Sequence, residues 1–61
     1  MSWEARDRVL EALKGEAKGA AALAISKKAG LPLIEAVKIL EELVAQGLVE
    51  KRGKTYRLRG A

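Results

Sequence analysis

Residues 29–49 read Ala-Gly-Leu-Pro-Leu-Ile-Glu-Ala-Val-Lys-Ile-Leu-Glu-Glu-Leu-Val-Ala-Gln-Gly-Leu-Val, and this stretch decides the fold. Proline favours the first position of a helix and pushes the residue before it into extended backbone. Gly30-Leu31-Pro32 therefore reads as a tight turn between two helices. Ala36, Ile39, Leu40 and Leu43 recur at helical spacing and form the apolar stripe of a helix predicted over 32–46. Gly47 supplies the left-handed stop.

Toward the C-terminus, Leu48 to Arg52 reads as a strand, Gly53-Lys54 as a two-residue turn and Thr55 to Arg59 as a returning strand. Glycine first in such a loop suits a type II′ turn. That turn sets Val49 opposite Leu58, Glu50 opposite Arg57, Lys51 opposite Tyr56 and Arg52 opposite Thr55. The apolar pair then falls on one face and the Glu50–Arg57 pair on the other, so turn and pattern agree. Gly60-Ala61 should fray.

Toward the N-terminus, residues 20–29 (Ala-Ala-Ala-Leu-Ala-Ile-Ser-Lys-Lys-Ala) form a second helix that Gly30 ends. No Ser, Thr, Asp or Asn opens it, and Gly19 is the one weak cap on hand. Lys27 and Lys28 read as a solvated helix end that suits the negative pole. A first helix spans 3–14, with Ser2 as its cap, Glu4 and Asp7 near its positive end, and Gly15 as its stop. Val9, Leu10 and Leu13 share a face of it, and Trp3 lies seven residues before Leu10. Trp3 either stacks on a ligand or closes the open end of the core, and we expect the second.

Composition narrows the function. Sixty-one residues make one domain, 1–61, with a small core. There is no cysteine and no histidine, which excludes disulfides. A metal would need carboxylates alone, and no clustered set suggests one, so no cofactor is expected. There is no Ser–His or Cys–His pair and no phosphate loop, and Glu41-Glu42 point in different directions on a helix, so the chain is not expected to be an enzyme. No apolar run approaches a membrane span or a signal peptide, and the chain reads as soluble and cytoplasmic or as a recombinant product. Charge is unevenly placed. Residues 1–49 hold seven basic and seven acidic side chains, whereas residues 50–61 hold five basic against Glu50 alone. The whole net charge of +4 thus sits on the hairpin. It reads either as a polyanion-binding patch or as an ordinary solvated hairpin with guarded edges.

Helix, short link, helix, tight turn, helix and basic hairpin is the order of the winged helix-turn-helix family, which this chain resembles over nearly its whole length. The resemblance is carried by Ile25-Ser26, Ala29-Gly30-Leu31-Pro32, Leu40, Leu43 and Gly47-Leu48-Val49. It implies a mainly α fold with a small β-hairpin, and in some such folds one or two extended residues from the 15–19 link pair with the hairpin. It also implies duplex DNA as a partner, with the third helix in the major groove and Arg52, Lys54 and Arg57 on phosphates. Lys51 completes the basic set of the wing, and Lys38 is the one residue of base-reading type in the leading half of helix 3.

The sequence departs from that family where bases would be read. Leu33, Ile34 and Val37 occupy groove-facing positions, and Glu41 and Glu42 would repel phosphate. Placed on the fold, Ala21, Leu23, Ala24, Leu33, Ile34 and Val37 form one apolar surface across helices 2 and 3. Such a surface marks an interaction site, and a symmetric homo-oligomer is the commonest way to bury one. The competing reading is a broad core arc in which Leu33, Val37 and Val44 lie next to the main stripe; it accounts for Val44 and Leu33 but not for Ile34. Self-association through this face is accordingly the leading expectation, with DNA binding as the alternative. The aliphatic reading head and uncapped alanine-rich helix also fit a surface engineered on a winged-helix scaffold, or a piece of a larger regulator whose further chain covers the face.

Overall fold

The computed structural model describes residues 3–60 of the chain. The expectations for the Ser2 cap, the Trp3 side chain and the Ala61 terminus lie outside the described residues. The elements run α1 (Trp3–Lys14), β1 (Ala20–Ala21), α2 (Ala22–Ala29), α3 (Leu33–Ala45), β2 (Val49–Arg52) and β3 (Thr55–Leu58). The fold is mainly helical with a small antiparallel sheet, as the sequence leads one to expect. The sheet, however, has three strands in the order β1-β3-β2 rather than two.

The extra strand comes from residues assigned to the second helix. Ala20 pairs with Tyr56 and Ala21 with Thr55, so α2 starts at Ala22 rather than at residue 20. Alanine's helical preference is worth only a fraction of a kcal/mol per residue, and ladder hydrogen bonds to β3 outweigh it. Gly19 makes the change of direction at φ +93°, and a Cβ there would lie 3.2 Å from the Tyr56 carbonyl oxygen. A side chain at this position would therefore strain the backbone and push β3 away.

Where each helix begins and ends follows from its caps. Ala21 precedes α2 with extended backbone (φ −70°, ψ 156°) and no side-chain cap. Replacing Ala21 by serine should place an oxygen where the Leu23 or Ala24 amide can donate to it. We expect Ala21→Ser to raise stability by about 1 kcal/mol, a rise in Tm of roughly 4–8 °C by thermal circular dichroism. Pro32 (φ −58°, ψ 146°) caps α3 instead of opening its first turn, so the helix starts one residue later than expected. Its carbonyl already accepts the Ala36 amide at 3.0 Å. At the other end the Gly47 amide donates to Val44 and the Leu48 amide to Leu43, both at 3.0 Å. That pair of closing bonds needs left-handed backbone at the glycine, and Gly47 has φ +80°.

Val9 and Leu13 of α1, Ile25 of α2 and Ile39, Leu40 and Leu43 of α3 are the large side chains fully buried at the centre. Each such aliphatic contributes roughly 1.5–3 kcal/mol by leaving water. Val49 and Tyr56 close the core from the sheet side. Val44 packs against this cluster, as the broad-arc reading has it. Leu33 does not: it is 45% exposed. The one buried polar side chain among the described residues, Ser26, donates its hydroxyl to the Leu23 carbonyl at 2.7 Å.

Candidate nucleic-acid interface

The β2–β3 hairpin holds the predicted register from Val49↔Leu58 to Arg52↔Thr55. Gly53 has φ +57°, the positive value that its place in the turn demands. The Thr55 hydroxyl donates to the Arg52 carbonyl at 3.0 Å and ties the turn. The structure thus brings four of the five expected nucleic-acid contacts, those of the basic wing, onto one hairpin: Arg52 and Lys54 at its tip, Lys51 and Arg57 in its stem. Lys38 stands apart, exposed on α3.

Tip and stem differ in how their charges are spent. Arg52 and Lys54 are exposed and make no ion pair among the described residues. Arg57, in contrast, donates from Nε to Glu50 Oε1 at 3.0 Å. Lys51 Nζ lies 3.3 Å from Glu41 Oε2 and 5.5 Å from the centre of the Tyr56 ring. The buried Tyr56 donates its hydroxyl to the same Glu41 oxygen at 2.7 Å. Glu41, expected from the sequence as a carboxylate that would repel phosphate, has a structural role as well. It is the point at which α3 grips the wing.

These contacts set the charge states. The Tyr56 hydroxyl, followed by the Lys51 ammonium, holds the Glu41 carboxyl below its ordinary range. Arg57 does the same for Glu50. Lys51 is raised, chiefly by its bond to Glu41, and Tyr56 is raised by burial first and by the Glu41 bond second. A carboxyl that is more acidic in the folded protein stabilises it above the unfolded carboxylate pKa, and that contribution fades as pH falls through the folded value. Urea midpoints measured from about pH 6 to 2 should therefore fall toward acid. A Glu41→Gln/Glu50→Gln variant should show a shallower fall.

The α2–α3 face is built of different material. Leu23 is 52% exposed and Ile34 74% exposed, and with Leu33 they leave three large aliphatic side chains in solvent. Ala21 and Ala24 are exposed and Val37 is half-buried. Leu48, 44% exposed just before β2, is a fourth such side chain that the sequence reading placed in the strand. The solvent side of α3 carries Glu35, Glu41 and Glu42 against Lys38 alone. The helix in the reading position is thus acidic and aliphatic, while the wing is basic.

Two helices joined by a tight turn, a supporting first helix and a β-hairpin that extends from the third make this a winged helix-turn-helix fold. Residues 8–53 match the IclR helix-turn-helix domain, and the chain belongs to that family of DNA-binding domains. The match runs from α1 to the turn of the wing; Lys54, Tyr56 and Arg57 lie beyond it. Comparison with curated proteins and with solved structures finds no match. Among the described residues, no helix is long and apolar enough to cross a membrane.

Proposed function

We propose that this domain binds duplex DNA through its wing, with Arg52 and Lys54 on phosphates, Lys51 and Arg57 joining them, and α3 presented to the major groove with Lys38 toward the bases. The observation that carries this reading is the pair of exposed, unpaired cations at the tip of a wing in a family of DNA-binding domains. Phosphate contacts position a protein without reading sequence. Beyond Lys38, α3 offers carboxylates and aliphatic groups, which make poor partners for base edges. Binding should accordingly be weakly sequence-selective and strongly salt-dependent, with log K falling by about 0.9 per log unit of salt for each phosphate engaged. Fluorescence anisotropy with duplexes of unrelated sequence is the test. An absence of any salt-sensitive signal at low ionic strength would sink the reading.

A second reading, self-association, is favoured by the exposure of Leu23, Leu33 and Ile34. Its occupant is a second copy of the chain, seated on Ala21, Leu23, Ala24, Leu33, Ile34 and Val37. Sedimentation at micromolar concentration decides it: an oligomer that Leu33→Glu or Val37→Lys dissociates supports the pairing, and a monomer throughout refutes it. Both readings use α3, so excess duplex should compete with the oligomer.

A further inference from the structure

Among the described residues the tip cations Arg52 and Lys54 are in no ion pair, whereas the stem cations Lys51 and Arg57 each have a carboxylate at salt-bridge distance. Arg57 holds Glu50 within β2–β3, and Lys51 holds Glu41 across to α3, both at salt-bridge distance. The side chains of all four remain between 34% and 47% exposed, so the pairs are open to solvent and to a ligand. Exposed pairs of this kind are weak and exchange readily for a better anion. Phosphate is such an anion for a guanidinium, which it meets with two parallel hydrogen bonds.

We propose that Glu41 and Glu50 act as built-in competitors of phosphate, so that the wing binds DNA first through its tip and engages its stem only when the duplex displaces these two carboxylates. The proposal rests on the DNA-binding reading given above. The two carboxylates differ in what happens to them. When Lys51 leaves, Glu41 keeps its 2.7 Å bond from the Tyr56 hydroxyl and stays fixed on the wing. Glu50 has Arg57 as its hydrogen-bonded partner at 3.0 Å, with Arg52 and Arg59 attracting it from farther off, and no tyrosine to hold it, so displacement leaves it facing the incoming backbone. Glu50 is therefore the stronger brake on binding, and Arg57 is the residue through which it acts.

A double-mutant cycle separates this from a general effect of removing negative charge. Binding of a labelled mixed-sequence duplex of about 20 base pairs would be followed from about 25 to 300 mM NaCl. The proteins compared are the native chain, Glu50→Gln, Arg57→Gln and the pair combined, with Glu41→Gln alongside. We expect Glu50→Gln to bind about five-fold tighter at low salt, with a salt slope steeper by about 0.9, the signature of one more phosphate engaged. The steepening should vanish when Arg57 is also replaced. Glu41→Gln should steepen the slope as well but gain less affinity, because it also loosens the grip of α3 on the wing. Binding by the native chain with no change in Glu50→Gln overturns this inference alone. An equal gain with and without Arg57 also overturns it, by assigning the effect to charge at a distance. Failure of every protein to bind overturns the DNA-binding reading and this inference with it. Thermal unfolding by circular dichroism on each variant confirms that the folded state is the one being compared.

Discussion

Replacing Leu40 with alanine should remove the greater part of the domain's stability. The side chain is completely buried on the apolar stripe of α3, beside Ile39 and Leu43. Truncating a buried leucine costs about 2–5 kcal/mol, and the upper half of that range applies where the surroundings cannot collapse into the space. Here they cannot collapse easily. Ala5, Ala12, Ala29 and Ala36 are buried around the same core, and side chains this small cannot reach into the space a lost leucine leaves. At about 0.05–0.15 kcal/mol per residue, 61 residues have a total stability of only about 3–9 kcal/mol. There is no cysteine from which a disulfide could compensate. Urea denaturation should show the midpoint of Leu40→Ala falling to near zero denaturant. Ile34→Ala, on the same helix but 74% exposed, should stay within about 0.5 kcal/mol of the native chain. Equal losses in the two variants would contradict the burial of Leu40 and the exposure of Ile34.

The second large effect concerns binding. Arg52→Gln/Lys54→Gln removes the two cations of the wing tip without breaking an ion pair or a side-chain hydrogen bond among the described residues, and only weakens the attraction of Arg52 for Glu50. We expect the duplex affinity to drop by about 10- to 100-fold at low salt and the salt slope to flatten by about 1.8. The melting temperature should scarcely move, since both side chains are exposed and unpaired. A Lys14→Gln/Lys27→Gln variant makes the same change in net charge on the last turns of α1 and α2, outside the wing, and serves as the control. Comparable losses in both would mean that overall charge, not the wing, holds the DNA.

The arrangement of helices and hairpin was readable because it depends on local signals. Gly30-Leu31-Pro32 marks the turn, Ala36-Ile39-Leu40-Leu43 marks the buried stripe, and a two-residue loop with glycine first fixes the hairpin register. The Glu50–Arg57 pair followed from that register. What escaped prediction depends on contacts across the chain. Alanines 20 and 21 carry no mark of a strand, and only the neighbouring edge of β3 draws them out of the helix. Glu41 lies fifteen residues from Tyr56, and no spacing rule links a helical carboxylate to a tyrosine on a strand. Tyr56 itself belongs to the core, although its own strand alternates with arginine and threonine. The exposure of Leu23, Leu33 and Ile34 was legible as a departure from the polar face usual in this family. What the face binds was not legible, because apolar surface records that it needs cover without recording whose.

The middle strand of the sheet is also the last element in sequence order among the described residues. β1, next to α2, has no neighbour to pair with until β3 exists, and β2 is in the same position. During synthesis the helices can gather as they leave the ribosome, but the sheet and the Tyr56 wall of the core must wait for residues 55–58. Ala20 finds its partner only across a separation of 36 positions, as the register with Tyr56 shows. Pairings over such distances close slowly compared with helix formation. A nascent chain stalled before Thr55 should therefore carry helices with an open core, vulnerable to protease, and become resistant only once the returning strand has been made.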